Sequence, residues 1–205
     1  MNPGGTVHII DDDDAVRDSL VTLLDASGFS VSAYASASAF LDGLDKAASG
    51  CVITDVQMPE ISGLDLLRRL SDRLARFPVI VLTGEADVPI AVEALKNGAL
   101  DLIEKPYSAA TMVAAVRQAL TQLEARSSRT SRRSENAERI AALSAREREV
   151  LEGVLKGGSN KEIARELGIS PRTVEAYRAN LMMKMGAESL SELVRMAIEA
   201  RADDD

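Results

Sequence analysis

Residues 7–20 read VHIIDDDDAVRDSL. An apolar run meets four aspartates, Asp11 to Asp14, and leads into a segment with helical spacing over 15–26. A strand that enters a core and ends in four like charges needs explaining, because crowded carboxylates raise one another's pKa and work against the fold unless a cation sits among them. A solvated turn that caps the next helix is the simplest account, since Asp is a favoured N-cap residue. That account suffices for Asp13 and Asp14. Whether it covers Asp11 and Asp12 depends on what stands at the ends of the neighbouring strands.

Four further short apolar runs follow: SVSAY (30–34), CVITD (51–55), PVIVLT (78–83) and LDLIEK (100–105). They alternate with amphipathic segments such as 62–73 and 109–123, which is the pattern of a strand–helix repeat. Right-handed crossovers then give a doubly wound five-stranded parallel sheet of the flavodoxin-like α/β class, covered by helices on both faces. In such a fold, function gathers at the carboxyl ends of the strands. Strand one ends in Asp11 and Asp12, strand three in Asp55, strand four in Thr83 and strand five in Lys105, followed by Pro106. Three carboxylates, a hydroxyl and an ammonium are thereby expected in one crevice. Hard oxygen donors that fall short of a full protein cage suit Mg²⁺, which keeps several waters and shares a phosphate oxygen.

The chain of 205 residues is 46% apolar and 27% charged, an ordinary soluble composition. Its single cysteine, Cys51, excludes an intramolecular disulfide. It reads as a small buried hydrophobe. No apolar run approaches the length of a membrane span, and MNPGG lacks a signal-peptide pattern, so a cytoplasmic protein is expected. The net charge of −8 is unevenly placed: residues 1–123 carry 9 Lys+Arg against 17 Asp+Glu, whereas 124–205 carry 15 of each. Between the two parts, EARSSRTSRRSENAER (124–139) has alanine as its only apolar residue. It reads as an exposed linker unless it extends a helix. The expected organisation is domain 1–123, linker 124–139 and domain 140–205.

The second domain shows helix starts: SARE (144–147), SNKE (159–162) and SLSE (189–192) have the form of capping boxes, and Ser170 precedes an N1 proline, Pro171. Residues 160–179, NKEIARELGISPRTVEAYRA, have the pattern of a helix-turn-helix. Ala164 is small at the crossing and Gly168 supplies the turn, while Ile163, Leu167, Ile169, Val174 and Tyr177 form the seam. An ordinary helical hairpin would share those features, but residues 156–184 also hold six Lys+Arg against three Glu. Val174, Tyr177, Leu181 and Met185 share one face of the second helix. The other face carries Arg172, Ala176, Ala179 and Met183, flanked by Thr173, Glu175 and Asn180. It suits base edges in a major groove, with Lys161, Arg178 and Lys184 available to phosphates. Met182, Met183 and Met185 are packing or interface residues.

The acidic pair after strand one, DVQMP around Asp55, Thr83 and the Lys105–Pro106 pair together resemble the receiver domains of two-component response regulators, over residues 5–123. The opening LSAREREVL and the helix-turn-helix resemble the LuxR/FixJ-type output domain, a four-helix all-α unit, over 143–200. The resemblance implies a regulator rather than an enzyme. Asp55 would be the phosphoacceptor; Asp12, Asp55 and the Gln57 carbonyl would hold Mg²⁺, with Asp11 acting through water. Lys105 would pair with a phosphoryl oxygen, Thr83 would donate its hydroxyl, and Pro106 would follow a cis bond. Where the family has an aromatic switch residue, Leu102 stands, and Tyr107 is differently placed. The implied partners are a FixL-like sensor histidine kinase, promoter DNA, RNA polymerase and a second copy of the chain on phosphorylation. The FixJ branch of the family acts in nitrogen fixation under low oxygen. A phosphoaspartate phosphatase would need a second Asp two residues after the nucleophile, where Gln57 stands. A constitutive DNA-binding protein with a degenerate receiver is opposed by the retained Asp11, Asp12, Asp55, Thr83 and Lys105.

Overall fold

In the computed structural model, which describes residues 4–84 and 88–201, the apolar runs form β1 (Thr6–Ile10), β2 (Ser30–Tyr34), β3 (Gly50–Asp55), β4 (Val79–Thr83) and β5 (Asp101–Glu104). They pair in parallel in the order β2-β1-β3-β4-β5. β3 and β4 are buried along their whole length, whereas the edge strands β2 and β5 are partly exposed. Alternation along each strand divides the apolar residues between two cores. Val7, Ile9, Ile53, Ile80 and Leu82 face α1 (Asp14–Ala26) and the start of α5 (Ala109–Ala141). Ile10, Val52, Val79 and Val81 face α2 (Ala37–Gly43), α3 (Gly63–Arg69) and α4 (Val88–Lys96). A 3₁₀ turn, Ser71–Arg73, completes the expected 62–73 segment after α3. Cys51 is buried, and desolvation pushes its thiol pKa far up, which keeps it a core hydrophobe. His8 is 2% exposed among Tyr34, Phe40 and Phe77, with Nε2 2.8 Å from the Ala48 carbonyl oxygen. Burial lowers its pKa, so it packs as a neutral ring.

The chain divides into two compact units between Arg126 and Ser127. The segment 124–139 lies wholly within α5: it is exposed over 124–132, but Asn136 is only 5% exposed. Ser131 donates to Glu135 and Arg132 to the Ser128 carbonyl, local bonds that support helix without an apolar face.

The second unit holds α6 (Ala145–Leu155), α7 (Asn160–Leu167), α8 (Pro171–Met185) and α9 (Leu190–Glu199) around Val150, Leu151, Ile163, Ala164, Val174, Leu181, Met185 and Leu193. Both halves of the capping box form at Ser144–Glu147 and at Ser159–Glu162. The third differs from expectation. Ser189 caps the Glu192 N–H, but the Glu192 carboxylate accepts from the Glu188 N–H rather than from that of Ser189, because the preceding donor lies within its reach. Gly168 ends α7 in the left-handed region at φ 67°, and Ser170 caps α8 ahead of Pro171.

Candidate phosphoacceptor site and helix-turn-helix face

The sheet order reverses about β1 and β3, so their carboxyl ends border a crevice. The two carboxylates there are held by the chain itself. Asp11, 2% exposed, accepts the Asp13 N–H on Oδ1 at 2.9 Å. Asp55, 8% exposed, accepts the Gln57 N–H on Oδ2 at 2.7 Å. Lys105 joins them: its Nζ lies 2.6 Å from Asp55 Oδ1 and 3.2 Å from Asp11 Oδ2. Its N–H is bonded to the Thr83 carbonyl at 2.7 Å, which fixes β5 against β4 where the side chain leaves the sheet. The Lys105–Pro106 peptide bond is cis.

Burial pushes the Asp11 carboxyl above its ordinary range, and the Asp55 charge adds to this, against the Asp13 N–H and the Lys105 ammonium. For Lys105 burial opposes the charge, yet the bond to Asp55 and the charge of Asp11 outweigh it, and its pKa is raised. The site is thus a buried, charge-coupled cluster of the kind found at functional centres.

Asp12 is exposed beside the cluster, and Thr83 is 3% exposed at the end of β4. Asp13 takes the capping role expected of it, accepting the Ala15 and Val16 N–H groups, and Asp14 opens α1. Leu102 is half-buried on the core face shared with Val79 and Val81, whereas Tyr107 packs on the opposite core. The two side chains therefore serve different faces of the sheet.

Among the described residues, no three acidic or metal-ligating side chains converge closely enough to hold an ion by themselves. The donors that do gather are the Asp11 and Asp55 carboxylates with the Gln57 main chain, and Asp12, exposed, follows Asp11 in the chain. An all-oxygen set with room for water fits Mg²⁺, which retains waters and tolerates few protein ligands.

One residue at this site has no obvious sequence signal. Arg17, with a side chain 16% exposed, donates from Nη1 to the Asp11 carbonyl at 2.8 Å and pairs with Asp14. Its Asp14 partner is legible as an i,i+3 pair, but its contact with Asp11 arises only from the turn.

On the helix-turn-helix, Lys161, Arg172, Glu175, Ala176 and Asn180 are exposed. Thr173 is half-buried, its N–H and hydroxyl paired with the Ser170 hydroxyl. Two of the expected phosphate contacts are engaged within the unit. Arg178 donates to Asn160 Oδ1 at 2.6 Å, joining α8 to the start of α7, and Lys184 lies 2.8 Å from Glu147 Oε2.

A parallel α/β domain that gathers buried carboxylates and a lysine at its strand ends, followed by a capped helix-turn-helix, defines a signal-input domain with a DNA-binding output. Residues 7–117 match the response regulator receiver domain, and residues 141–197 match the bacterial regulatory proteins of the luxR family. The chain belongs to the response regulators with a LuxR-type output domain. It is 56% identical to the transcriptional regulatory protein FixJ of Azorhizobium caulinodans, covering 95% of this chain and 92% of that protein. With FixJ of Bradyrhizobium diazoefficiens the identity is 49% over 98% of both. Among solved structures, full-length FixJ from B. japonicum is 49% identical, covers 96% of this chain and 97% of the other, and has a TM-score of 0.61. The response regulator StyR, 34% identical, covers 95% and 98%, with a TM-score of 0.80. The protein is a phosphorylation-dependent transcriptional regulator. The receiver implies a histidine kinase partner and the output domain implies DNA; receivers in general use Mg²⁺. No helix among the described residues is long and apolar enough to cross a membrane.

Proposed function

We propose that Asp55 is the phosphoacceptor. The observation that carries this is the Lys105 ammonium placed against Asp55 and Asp11 together at the carboxyl ends of the strands. A carboxylate oxygen of Asp55 attacks phosphorus on a phosphohistidine, the P–N bond breaks, and its electron pair returns to the imidazole. Lys105 is positioned to exchange its bond to Asp55 for a phosphoryl oxygen, and the Thr83 hydroxyl donates to the same group. Leu102 takes the place of an aromatic switch residue. Asp12, Asp55 and the Gln57 carbonyl, with Asp11 through water, would hold Mg²⁺. When bound, that ion neutralises charge building on the phosphoryl oxygens.

Helix α8 reads bases through Arg172, Glu175, Ala176 and Asn180 on its exposed face and the half-buried Thr173 beside them, and Lys161 meets a phosphate. Arg178 and Lys184 keep further N–H donors for phosphates beyond their bonds to Asn160 and Glu147. The phosphorylated protein dimerises, contacts promoter DNA in two half-sites and, with RNA polymerase, activates transcription in the cytoplasm. Its relatives named FixJ support a FixL-like kinase and nitrogen-fixation genes switched on at low oxygen.

Radiolabel transfer from acetyl phosphate or a sensor kinase in Mg²⁺ tests the assignment. Wild type is labelled and Asp55→Asn is not; equal labelling of the two removes Asp55 from the role.

A further inference from the structure

Helix α5 contributes to both units. Its first turns place Met112, Val116, Ala119 and Leu120 in a core of the receiver. Its last turns belong to the output unit, where Asn136, Arg139 and Ile140 lie on one face at i, i+3 and i+4. Ile140 packs against the output core, and the buried Asn136 donates to Glu199 of α9 at 3.4 Å. Arg139 reaches α8 itself: its Nη1 donates to the Met185 carbonyl at 2.6 Å. Met185 is the last residue of α8, so this carbonyl is one that the helix leaves without a partner of its own.

The contact is closely fitted. Gly186 turns the chain out of α8 at φ +68°, and its N–H bonds back to Met182 and Met183. A Cβ at Gly186 would stand 3.2 Å from Arg139 Nη1. The glycine therefore serves both the left-handed cap and the approach of the guanidinium. A guanidinium at a helix carboxyl terminus also complements the helix dipole.

We propose that Arg139 is a positioning residue for the DNA-reading helix, and that through it the terminal turn of α5 transmits the receiver's phosphorylation state to the placement of α8. The proposal rests on the reading of α8 as the DNA-contacting helix. The Schellman-type turn at Gly186 already satisfies the neighbouring carbonyls, so the added bond is not required to end the helix. It comes instead from the one element that is also anchored in the receiver core.

The test uses the full-length chain and a duplex selected by the phosphorylated protein from a random-sequence pool, with a scrambled duplex of equal length as reference. Acetyl phosphate with Mg²⁺ provides the phosphorylated form. Arg139→Ala is expected to weaken the phosphorylated protein's binding to the selected duplex by about tenfold, a typical coupling factor, while unphosphorylated binding changes far less. Salt dependence and thermal unfolding are expected to stay as in wild type, and Arg139→Lys, which keeps a charged donor, recovers part of the loss. Should Arg139→Ala fold poorly, Arg139→Gln carries the same comparison. Unchanged binding in both states, or an equal loss in both, overturns the proposal. Arg172→Ala is measured alongside. If it too leaves the selected duplex bound as before, the reading of α8 has failed; if it alone weakens binding, only the role of Arg139 has.

Discussion

Glu60 stands in the loop that follows Asp55 and Gly63 at the start of α3, and the backbone treats them in opposite ways. Gly63 opens α3 with its N–H on the Val56 carbonyl at 3.0 Å, and a Cβ there would lie 2.0 Å from the Asp55 carbonyl oxygen. No side-chain rotation can relieve a clash with main chain, so Gly63→Ala has to move either α3 or the backbone of Asp55, the proposed phosphoacceptor. The expected loss is about 1–3 kcal/mol in urea unfolding, the usual cost of overpacking. Because the displaced peptide is that of Asp55, phosphotransfer per folded molecule should fall as well; full transfer at reduced stability would separate the glycine from the site. Glu60, exposed at φ 64°, is held where glycine is the favoured residue. Left-handed backbone costs a non-glycine residue about 1–2 kcal/mol, and glycine's greater unfolded freedom returns about 0.5–1 of that. Glu60→Gly is therefore expected to raise the urea midpoint slightly with phosphotransfer unaltered, which makes it the internal control for Gly63→Ala.

The amino terminus of α6 shows how one helix end can be fastened to another element. Glu147 closes the capping box on Ser144 and also receives Lys184 of α8. The Lys184 bond, then the N–H and hydroxyl of Ser144, draw the Glu147 carboxyl from an ordinary 4.5 down to about 2. A carboxyl whose folded pKa lies below its unfolded one adds stability above the unfolded pKa and loses it as pH falls through the folded one. Hydrogen-exchange protection of the α6 amides should accordingly be greater in wild type than in Glu147→Gln at pH 7, and the gap should close between about pH 4.5 and pH 2. A gap that persists at pH 2 would assign the effect to packing instead of charge. Such a cap is legible in the sequence because both partners lie within one turn; the Lys184 contact is not, since it spans 37 residues. The same division runs through the fold. Each strand lies within a residue of its apolar run; for β3 and β4 this follows because runs buried on both faces leave a strong local pattern. The helical course of 124–139 leaves no signal in the sequence, since a helix with no buried face over 124–132 has no hydrophobic period. Asp11, Asp55 and Lys105 were legible from the strand-end rule, whereas Arg17 on the Asp11 carbonyl and Arg139 on that of Met185 depend on tertiary geometry.

Over the whole molecule, the charge is divided so that residues 1–123 hold the net −8 and 124–205 hold none. Attraction of the helix-turn-helix to DNA then comes from the local excess between 156 and 184, six Lys+Arg against three Glu, rather than from any general basicity of its domain. A single output unit with so small an excess can neutralise few phosphates, and that limits what phosphorylation can achieve without a second copy. If activation only uncovered the output domain, affinity would rise while the number of phosphates met stayed the same. If it forms a dimer, two copies meet the duplex and the count doubles. Counterion release separates the cases, because log K falls against log salt with a slope of about −0.9 for each phosphate neutralised. The phosphorylated chain is therefore expected to bind its selected duplex with roughly twice the salt slope of the unphosphorylated chain, and to sediment as a dimer over the same concentration range. Tighter binding at an unchanged slope, with sedimentation of a monomer, would instead mean that phosphorylation acts by uncovering alone and that the paired half-sites are not read together.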